Sequence, residues 1–230
     1  MSARALILAA GRGERMRPLT DTTPKPLLPV RGRPMIEWHL LALAKAGVRE
    51  VVINTAWLEE QFPAALGDGS RWGLTIRWSA EAAAWGGALE TAGGIATALR
   101  WLAPNGDEAF WVVSGDIVAP GFGFDDAERR RFEDSGDLGH LWLVPNPAFN
   151  ERGDFALGAG GRLSRDGERG WTYANLALLK PAIVAGIAPG TRAPLGPALF
   201  AAAAAGRLSG EAWRGEWHNV GTPQQLAALG

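Results

Sequence analysis

The start of the chain combines a short apolar run with a long loop rich in glycine, arginine and proline. Residues 4–9, Arg-Ala-Leu-Ile-Leu-Ala, form the apolar run, which is typical of a strand covered on both faces. The loop occupies about residues 10–33 and carries three arginines within six residues. A strand of this kind needs helices above and below its sheet, so this feature predicts an α/β chain.

Strand and helix signals then alternate through the first half of the chain. We predict strands at residues 51–53, 74–78 and 110–113, and helices at 34–47, at 58–66 and from a Thr91 cap to Leu102. This order predicts parallel strands joined by right-handed crossovers, in a Rossmann-like mixed, mainly parallel central sheet with helices on both faces. Ligands of such sheets bind beyond the carboxyl ends of the strands, where the arginine loop and Asp116 both fall.

The second half carries shorter strand signals. We predict strands at residues 140–144, 155–157, 162–164 and 172–178, a hairpin turn at Asp166–Gly167, an alanine-rich helix at 193–205 and a last helix from a Thr222 cap to about Leu229. No linker or internal repeat separates this half from the first. The 230 residues therefore predict one domain with two parts that meet near residue 120.

Charge and composition exclude several classes of partner. The chain has 23 Lys and Arg against 24 Asp and Glu, which argues against a nucleic-acid partner. It has no cysteine, so disulfides and thiolate metal sites are excluded. The apolar run at residues 4–9 is too short to span a membrane. We expect a cytoplasmic protein with no membrane partner, either a monomer or a homodimer, whose 11 tryptophans pack in and around its core.

The loop after the first strand has the composition of a phosphate-binding site. Gly11 and Gly13 allow backbone N–H groups to approach phosphate, and arginines bind phosphate oxygens in bidentate fashion. The P-loop pattern is absent, and the dinucleotide fingerprint fails because Met16 replaces its third glycine. Lys25 lies between two prolines, which predicts a rigid, extended backbone that aims one charge. A solvated basic turn without a ligand is the alternative.

Residues 8–20 together with 24–30 resemble the N-terminal signature of the sugar-1-phosphate nucleotidyltransferases. The resemblance implies that Arg15 contacts the β- and γ-phosphates of a nucleoside triphosphate and assists the departure of pyrophosphate. It implies that Lys25 binds the phosphates at the reacting centre. It also implies a Mg²⁺ cofactor on Asp116, whose carboxylate is a hard oxygen ligand after a glycine. The partners implied are UTP or another nucleoside triphosphate, and a sugar 1-phosphate.

The second predicted metal ligand lies near the end of the chain. Residues 217–222 read Trp-His-Asn-Val-Gly-Thr and resemble a family motif that has aspartate where this chain has Asn219. An amide oxygen can ligate a hard cation but brings no negative charge. We therefore predict Asp116 and Asn219 as metal ligands, with weaker metal binding in the absence of nucleotide.

The resemblance implies further contacts with both substrates. On the nucleotide side these are Ala10, Gly11, Gly13, Arg15, Lys25, Asn54, Glu81 and Gly93, and on the sugar side Glu90, Asp154, Asn175 and Arg192. For Glu81, an exposed loop carboxylate is the alternative. The two predicted parts of the domain then become a nucleotide-binding part, about 1–120, and a sugar-binding part, about 121–230.

Longer stretches of sequence point to one group of enzymes within this family. Residues 54–58, 66–74 and 209–211 resemble family members that use UTP in bacterial cell-wall sugar recycling. The loop at residues 82–88 departs from them, and it borders the predicted nucleotide pocket. Enzymes that use dTTP or GTP with glucose or mannose 1-phosphate, and enzymes with an acceptor such as phosphocholine, are alternatives. A non-catalytic nucleotide-binding regulator, permitted by Asn219, is another.

Overall fold

A seven-stranded sheet forms the centre of the computed structural model, which describes residues 3–230. Its strands are β1 (Arg4–Leu8), β2 (Glu50–Thr55), β3 (Thr75–Ala80), β4 (Phe110–Ser114), β5 (Gly139–Pro145), β6 (Trp171–Leu179) and β7 (Leu208–Ala212). Their spatial order is β7-β5-β6-β4-β1-β2-β3. β6 pairs antiparallel with β4 and β5, whereas the other pairings are parallel. The predicted mixed, mainly parallel sheet is confirmed.

Helices lie on both faces of this sheet. They are α1 (Met35–Lys45), α2 (Gln61–Leu66), α3 (Glu81–Trp85), α4 (Glu90–Leu102), α5 (Asp126–Glu133), α6 (Gly196–Ala204) and α7 (Pro223–Ala227). Ile7 packs with Ile36 in one apolar layer, and Leu6 packs with Ile95 in the other. Consecutive side chains of a strand point to opposite faces, so a strand covered twice is apolar throughout. No helix within residues 3–230 is long and apolar enough to cross a bilayer.

α1 forms where its sequence predicts a helix. Ile36, Leu40 and Leu43 are fully buried at helical spacing, and each contributes about 1.5–3 kcal/mol by burial. Pro34 precedes the helix as its N-cap residue. Gly47, with φ of 84°, follows the helix and allows the left-handed turn that ends it.

Two predicted helix starts are wrong. α4 begins at Glu90 with Leu89 as its N-cap residue, and Thr91 lies within the first turn without capping it. The alanine-rich helix begins at Gly196 because the segment before it pairs with α4 instead. There the carbonyl oxygen of Ala193 accepts hydrogen bonds from the first turn of α4. The predicted Thr222 cap is confirmed, since its side chain accepts a hydrogen bond from the Gln225 N–H at 3.2 Å.

The predicted hairpin at Asp166–Gly167 is also wrong. The short strand before it, Leu163–Ser164, pairs with Ala156–Leu157, while β6 after it pairs with β4 and β5. A turn sequence permits the chain to reverse but does not choose the partners of the flanking strands. Strands from both predicted parts of the chain thus belong to one sheet, and the division near residue 120 stays a prediction.

Candidate active site

The carboxyl ends of β1 and β4 open onto a cleft of about 400 Å³. Its lining includes Gly11, Arg12, Gly13, Arg15, Lys25, Asp116 and Gly221. The three predicted catalytic residues, Arg15, Lys25 and Asp116, therefore line one cavity. This is the sheet edge at which parallel α/β folds bind their ligands.

Lys25 and Asp116 form an ion pair at the base of the cleft. Lys25 Nζ donates a hydrogen bond of 2.8 Å to Asp116 Oδ2, and the lysine is buried while the aspartate side chain is 37% exposed. The predicted extended backbone at Lys25 is wrong, since Lys25–Leu27 form a single 3₁₀ turn closed by the Leu28 N–H. The turn, rather than an extended segment, holds the ammonium group beside the carboxylate.

The three clustered arginines near the start of the loop, Arg12, Arg15 and Arg17, differ in their partners. Arg12 stacks on the ring of Trp57 at 4.4 Å, and Arg17 forms an ion pair of 3.0 Å with Asp21. Arg15 is exposed and forms neither a hydrogen bond nor an ion pair with the described residues. Arg15 is therefore the loop arginine with a guanidinium group available to bind an anion in the cleft.

Two glycines allow the loop and the end of β4 to meet. Gly13 has φ of 63°, and a Cβ there would lie 3.0 Å from the Thr20 side chain. Gly115 donates a hydrogen bond of 2.8 Å to the Leu8 carbonyl, and its Cβ would lie 3.2 Å from both that oxygen and Pro26. This close approach places Asp116 against the segment that carries the lysine.

The C-terminal motif packs against the segment that carries Asp116. The short strand His218–Asn219 pairs antiparallel with Ile117–Val118, which places Asn219 opposite Ile117. The Val220 N–H donates a hydrogen bond of 3.1 Å to the Asp116 carbonyl. Asn219 lines a neighbouring cavity of about 630 Å³. The fold thus places Asn219 on the strand that pairs with the residues directly after Asp116, while the two side chains line different cavities.

The donor set at this edge fits Mg²⁺. Asp116 Oδ1 has no hydrogen-bond partner among the described residues, and Asn219 adds an amide oxygen on the next strand. The ammonium of Lys25 beside Oδ2 indicates that the carboxylate already attracts a cation. Mg²⁺ binds few protein oxygens and completes its coordination with water and phosphate, so two such oxygens are sufficient.

Two residues predicted to contact the sugar 1-phosphate, which is the acceptor, line a further cavity of about 290 Å³, called here the acceptor cavity. Asp154 and Asn175 border it together with Ser114, while Leu8 borders both this cavity and the cleft. Asp154 accepts hydrogen bonds from Asn150 Nδ2 at 3.1 Å and from the backbone N–H of residue 173 at 2.9 Å. The two cavities therefore share Leu8 in their linings, at the end of β1.

Comparison with known proteins places the chain in a family. A family model described as nucleotidyl transferase matches residues 4–147. The chain is 46% identical to the N-acetylmuramate alpha-1-phosphate uridylyltransferase of Neisseria meningitidis serogroup B, over 97% of this chain and 95% of the relative. The chain belongs to the nucleotidyl transferase family. A glucose-1-phosphate thymidylyltransferase of Actinoplanes is 34% identical over 70% of this chain and 50% of its own length.

Solved structures share the fold of this nucleotidyl transferase. A Bacillus anthracis protein assigned as a glucose-1-phosphate thymidylyltransferase and solved with a sucrose superposes with a TM-score of 0.82 at 18% identity, covering 99% of this chain and 94% of that one. The inositol-1-phosphate CTP transferase of T. maritima gives 0.75 at 17% identity, covering 98% and 91%. At these identities the likeness concerns the fold alone.

Asn54 and Glu81 lie behind the cleft of the nucleotidyl transferase instead of lining it. Glu81 is fully buried and accepts hydrogen bonds from Asn54 Nδ2 at 2.7 Å and from the Leu89 N–H at 2.8 Å. Asn54 Oδ1 accepts one from the Ala9 N–H at 2.9 Å. Burial raises the pKa of Glu81. We infer that the two side chains fix the end of β1, and their predicted contacts with the nucleotide stay predictions.

Ala10 and Gly93 are buried as well. Ala10 follows β1 at the start of the loop. Gly93 donates its N–H to the Ala193 carbonyl at 3.1 Å, and a Cβ there would lie 2.1 Å from the Thr191 carbonyl oxygen. Gly93 thus packs closely against residues 191–193, and its predicted contact with the nucleotide stays a prediction.

Glu90 and Arg192 pair with each other on the surface. Arg192 Nε lies 2.9 Å from Glu90 Oε1, with the two side chains 74% and 38% exposed. Neither lines the acceptor cavity. Exposed pairs of this kind contribute little to stability, so both groups remain free to exchange partners. Their predicted contacts with the sugar stay predictions.

His39 holds the segment that follows Asp116, a role that no sequence motif predicts. Its Nε2 donates a hydrogen bond of 2.8 Å to the Ile117 carbonyl, in the strand that follows Asp116. The side chain is buried, and burial lowers its pKa to about 4. His39 therefore stays neutral near pH 7 and anchors the segment between α1 and the C-terminal motif.

Proposed function

We propose that this chain transfers UMP from UTP to N-acetylmuramate α-1-phosphate, giving a nucleotide sugar and pyrophosphate. The observation that carries the proposal is a cleft that brings Arg15, Lys25 and Asp116 together, beside a cavity with Asp154 that shares Leu8 with it. The choice of substrates is supported by the relative from Neisseria meningitidis, which is similar over nearly its whole length. The proposal places the chain in cell-wall sugar recycling in the cytoplasm, as a monomer or homodimer.

The proposed reaction needs positioning and charge neutralisation. An oxygen of the sugar phosphate attacks the α-phosphorus of UTP, the α–β phosphoanhydride bond breaks, and its electron pair leaves with pyrophosphate. The attacking phosphate is already ionised near neutral pH, so no general base is required. Arg15, free in the cleft, would receive the negative charge of pyrophosphate, while Lys25 holds the reacting phosphates.

Asp116 and Asn219 would hold Mg²⁺ in this site. When bound, the ion would supply positive charge to the triphosphate oxygens. Asn219 lowers the negative charge of the ligand pair compared with two carboxylates. We therefore propose that substrate phosphates contribute strongly to metal binding in this chain.

A non-catalytic nucleotide-binding regulator is the second candidate, favoured by the amide at Asn219. Such a protein would bind UTP in the cleft but release no pyrophosphate. Enzymes for glucose, mannose or phosphocholine acceptors are further alternatives, since residues 82–88, which include most of α3, depart from the resemblance.

A pyrophosphate-release screen tests these proposals. Purified protein with Mg²⁺ is offered each of four nucleoside triphosphates with a panel of sugar 1-phosphates that includes the N-acetylmuramate, N-acetylglucosamine, glucose and mannose compounds. We expect the largest kcat/KM for UTP with N-acetylmuramate α-1-phosphate. Release with another pair would assign a different member of the family. UTP binding by calorimetry with no release from any pair would favour the regulator.

A further inference from the structure

A second group of ligand side chains lies at the other end of the sheet from the cleft. His140 is near the amino end of β5, where it pairs with Leu178 of β6. Leu178 in turn pairs with Trp111 near the start of β4, whereas Asp116 follows the carboxyl end of that strand. The group is therefore separate from the nucleotide cleft and its proposed Mg²⁺.

Three elements contribute to this group. Glu128 comes from α5, His140 from β5 and Glu211 from the neighbouring strand β7. Each offers one ligand atom, and these three atoms lie within 4.8 Å of one another. Within residues 3–230, these three side chains bring histidine and acidic ligand atoms together.

One nitrogen of His140 lacks a partner. The Nε2 atom is buried and forms no hydrogen bond, although buried polar atoms are almost always satisfied. The other nitrogen, Nδ1, lies 3.0 Å from Ser209 Oγ. A hydrogen bond from Nδ1 to this hydroxyl leaves a lone pair on Nε2, the form of imidazole that binds a metal.

The two carboxylates are also arranged as ligands. Glu211 Oε1 accepts a hydrogen bond of 2.7 Å from Trp142 Nε1, which fixes its orientation. Glu128 is half-buried, and its ligand oxygen lies within 4.8 Å of that of Glu211. Two carboxylates this close repel each other, and a divalent cation between them would remove that repulsion.

We propose that Glu128, His140 and Glu211 bind one zinc ion that links α5 to the edge strand β7. Imidazole and carboxylate together suit zinc, whereas Mg²⁺ prefers oxygen ligands alone. Ligand atoms of a tetrahedral zinc site lie roughly 3.4 Å apart, so rotation of the two glutamates closes the remaining distance. A water molecule completes the four ligands.

Equilibrium dialysis of the full chain against Zn²⁺, without nucleotide and with excess Mg²⁺, tests the site. We expect one zinc ion per chain, bound at least tenfold more weakly by Glu211→Gln and by His140→Asn. Glu211→Gln keeps an oxygen that can accept the hydrogen bond of Trp142, so its loss of zinc reports ligation rather than packing. His218→Asn is the matched control, since His218 lies beside Glu216 in the region of the C-terminal motif.

Two further measurements keep the outcome decisive. Zn²⁺ should raise the Tm of the native chain but not that of Glu211→Gln. The chain has three histidines, and ring NMR should show one of them, absent from His140→Asn, shifted by Zn²⁺. No stoichiometric binding, or equal binding by Glu211→Gln, would overturn the proposal. These readouts need no pyrophosphate release, so they stand apart from the proposed function.

Discussion

At the cleft, the role of each charged side chain depends on the partner that it already has. Arg17 is paired with Asp21, and Arg12 stacks on Trp57. Arg15 has no such partner among the described residues, and a Cβ on Gly221 would lie 3.4 Å from its Nη2 atom. A cation held beside the C-terminal motif but left unpaired is suited to the charge of a departing pyrophosphate.

Arg15→Ala should fold normally and lose about a hundredfold to a thousandfold in kcat, as is typical for loss of one donor that stabilises transition-state charge. Arg17→Ala is the matched control, since it removes a charge from the same loop but breaks only the pair with Asp21. Pyrophosphate release at saturating substrates is the measurement. Equal losses in the two variants would assign the effect to the overall charge of the loop.

Asn219→Asp should lower the Mg²⁺ concentration needed for half-maximal activity. The substitution keeps the size of the side chain and adds a negative charge on the strand next to Asp116. A carboxylate binds Mg²⁺ more strongly than an amide oxygen does. Rates measured over a Mg²⁺ titration test this, with circular dichroism to verify folding. A folded but inactive variant would contradict the metal site proposed here.

Among the elements, α1 connects the core to the site. Its apolar side chains are buried against the sheet, and His39 on the same helix is 4% exposed. The carbonyl that His39 binds belongs to Ile117, opposite Asn219 in the short strand pair. Protonation of His39 on this helix would therefore affect the short strand pair next to the predicted metal ligands.

The buried imidazole predicts a dependence of stability on pH. Burial lowers the pKa of His39 from 6.5 to about 4. Between pH 6.5 and pH 4, therefore, His39 is protonated in the unfolded chain but neutral in the folded chain. Its contribution to stability is complete above pH 6.5 and decreases by about 3 kcal/mol as the pH falls to 4. Urea unfolding at pH 7 and pH 4.5 should show a smaller difference for His39→Gln. An unchanged difference would contradict the assignment.

At the scale of the whole molecule, one continuous sheet joins the two predicted parts of the chain, with the strands of each part side by side. β6, from the second part, lies between β4 of the first part and β5 of the second. Trp111 of β4 packs on Trp142 of β5 with ring centroids 5.2 Å apart. The cleft and the cavity at Asp154 thus lie on one sheet, and a common support of this kind suits the proposed reaction, which depends on positioning.

Because β4 of the first part pairs with β6 of the second, we expect a single cooperative unfolding transition, as one domain requires. Tryptophan fluorescence reports the surroundings of the 11 tryptophans, Trp111 and Trp142 among them, and far-ultraviolet circular dichroism reports the helices of both parts. We expect the two urea curves to coincide in midpoint and slope. Separate transitions would divide the chain into two folding units near residue 120.

The sequence alone determined the fold class and the position of the cleft. A doubly covered strand is apolar at every residue, and the glycines at 13 and 115 mark close backbone approach, so local patterns suffice for both. It also identified Arg15, Lys25 and Asp116 as residues that would meet, through the order of strands and the family resemblance. These features depend on the chain's own periodicity and on short motifs.

Only the tertiary structure decided which side chains are free to act. Glu81 and Asn54 are buried against each other, and the N–H of Gly93 is taken by a carbonyl a hundred residues away in the chain. α5, with few apolar residues, and β7, an edge strand, gave no periodic signal and form through contacts with the sheet. A residue's availability to a ligand depends on neighbours distant in sequence, and no local pattern specifies them.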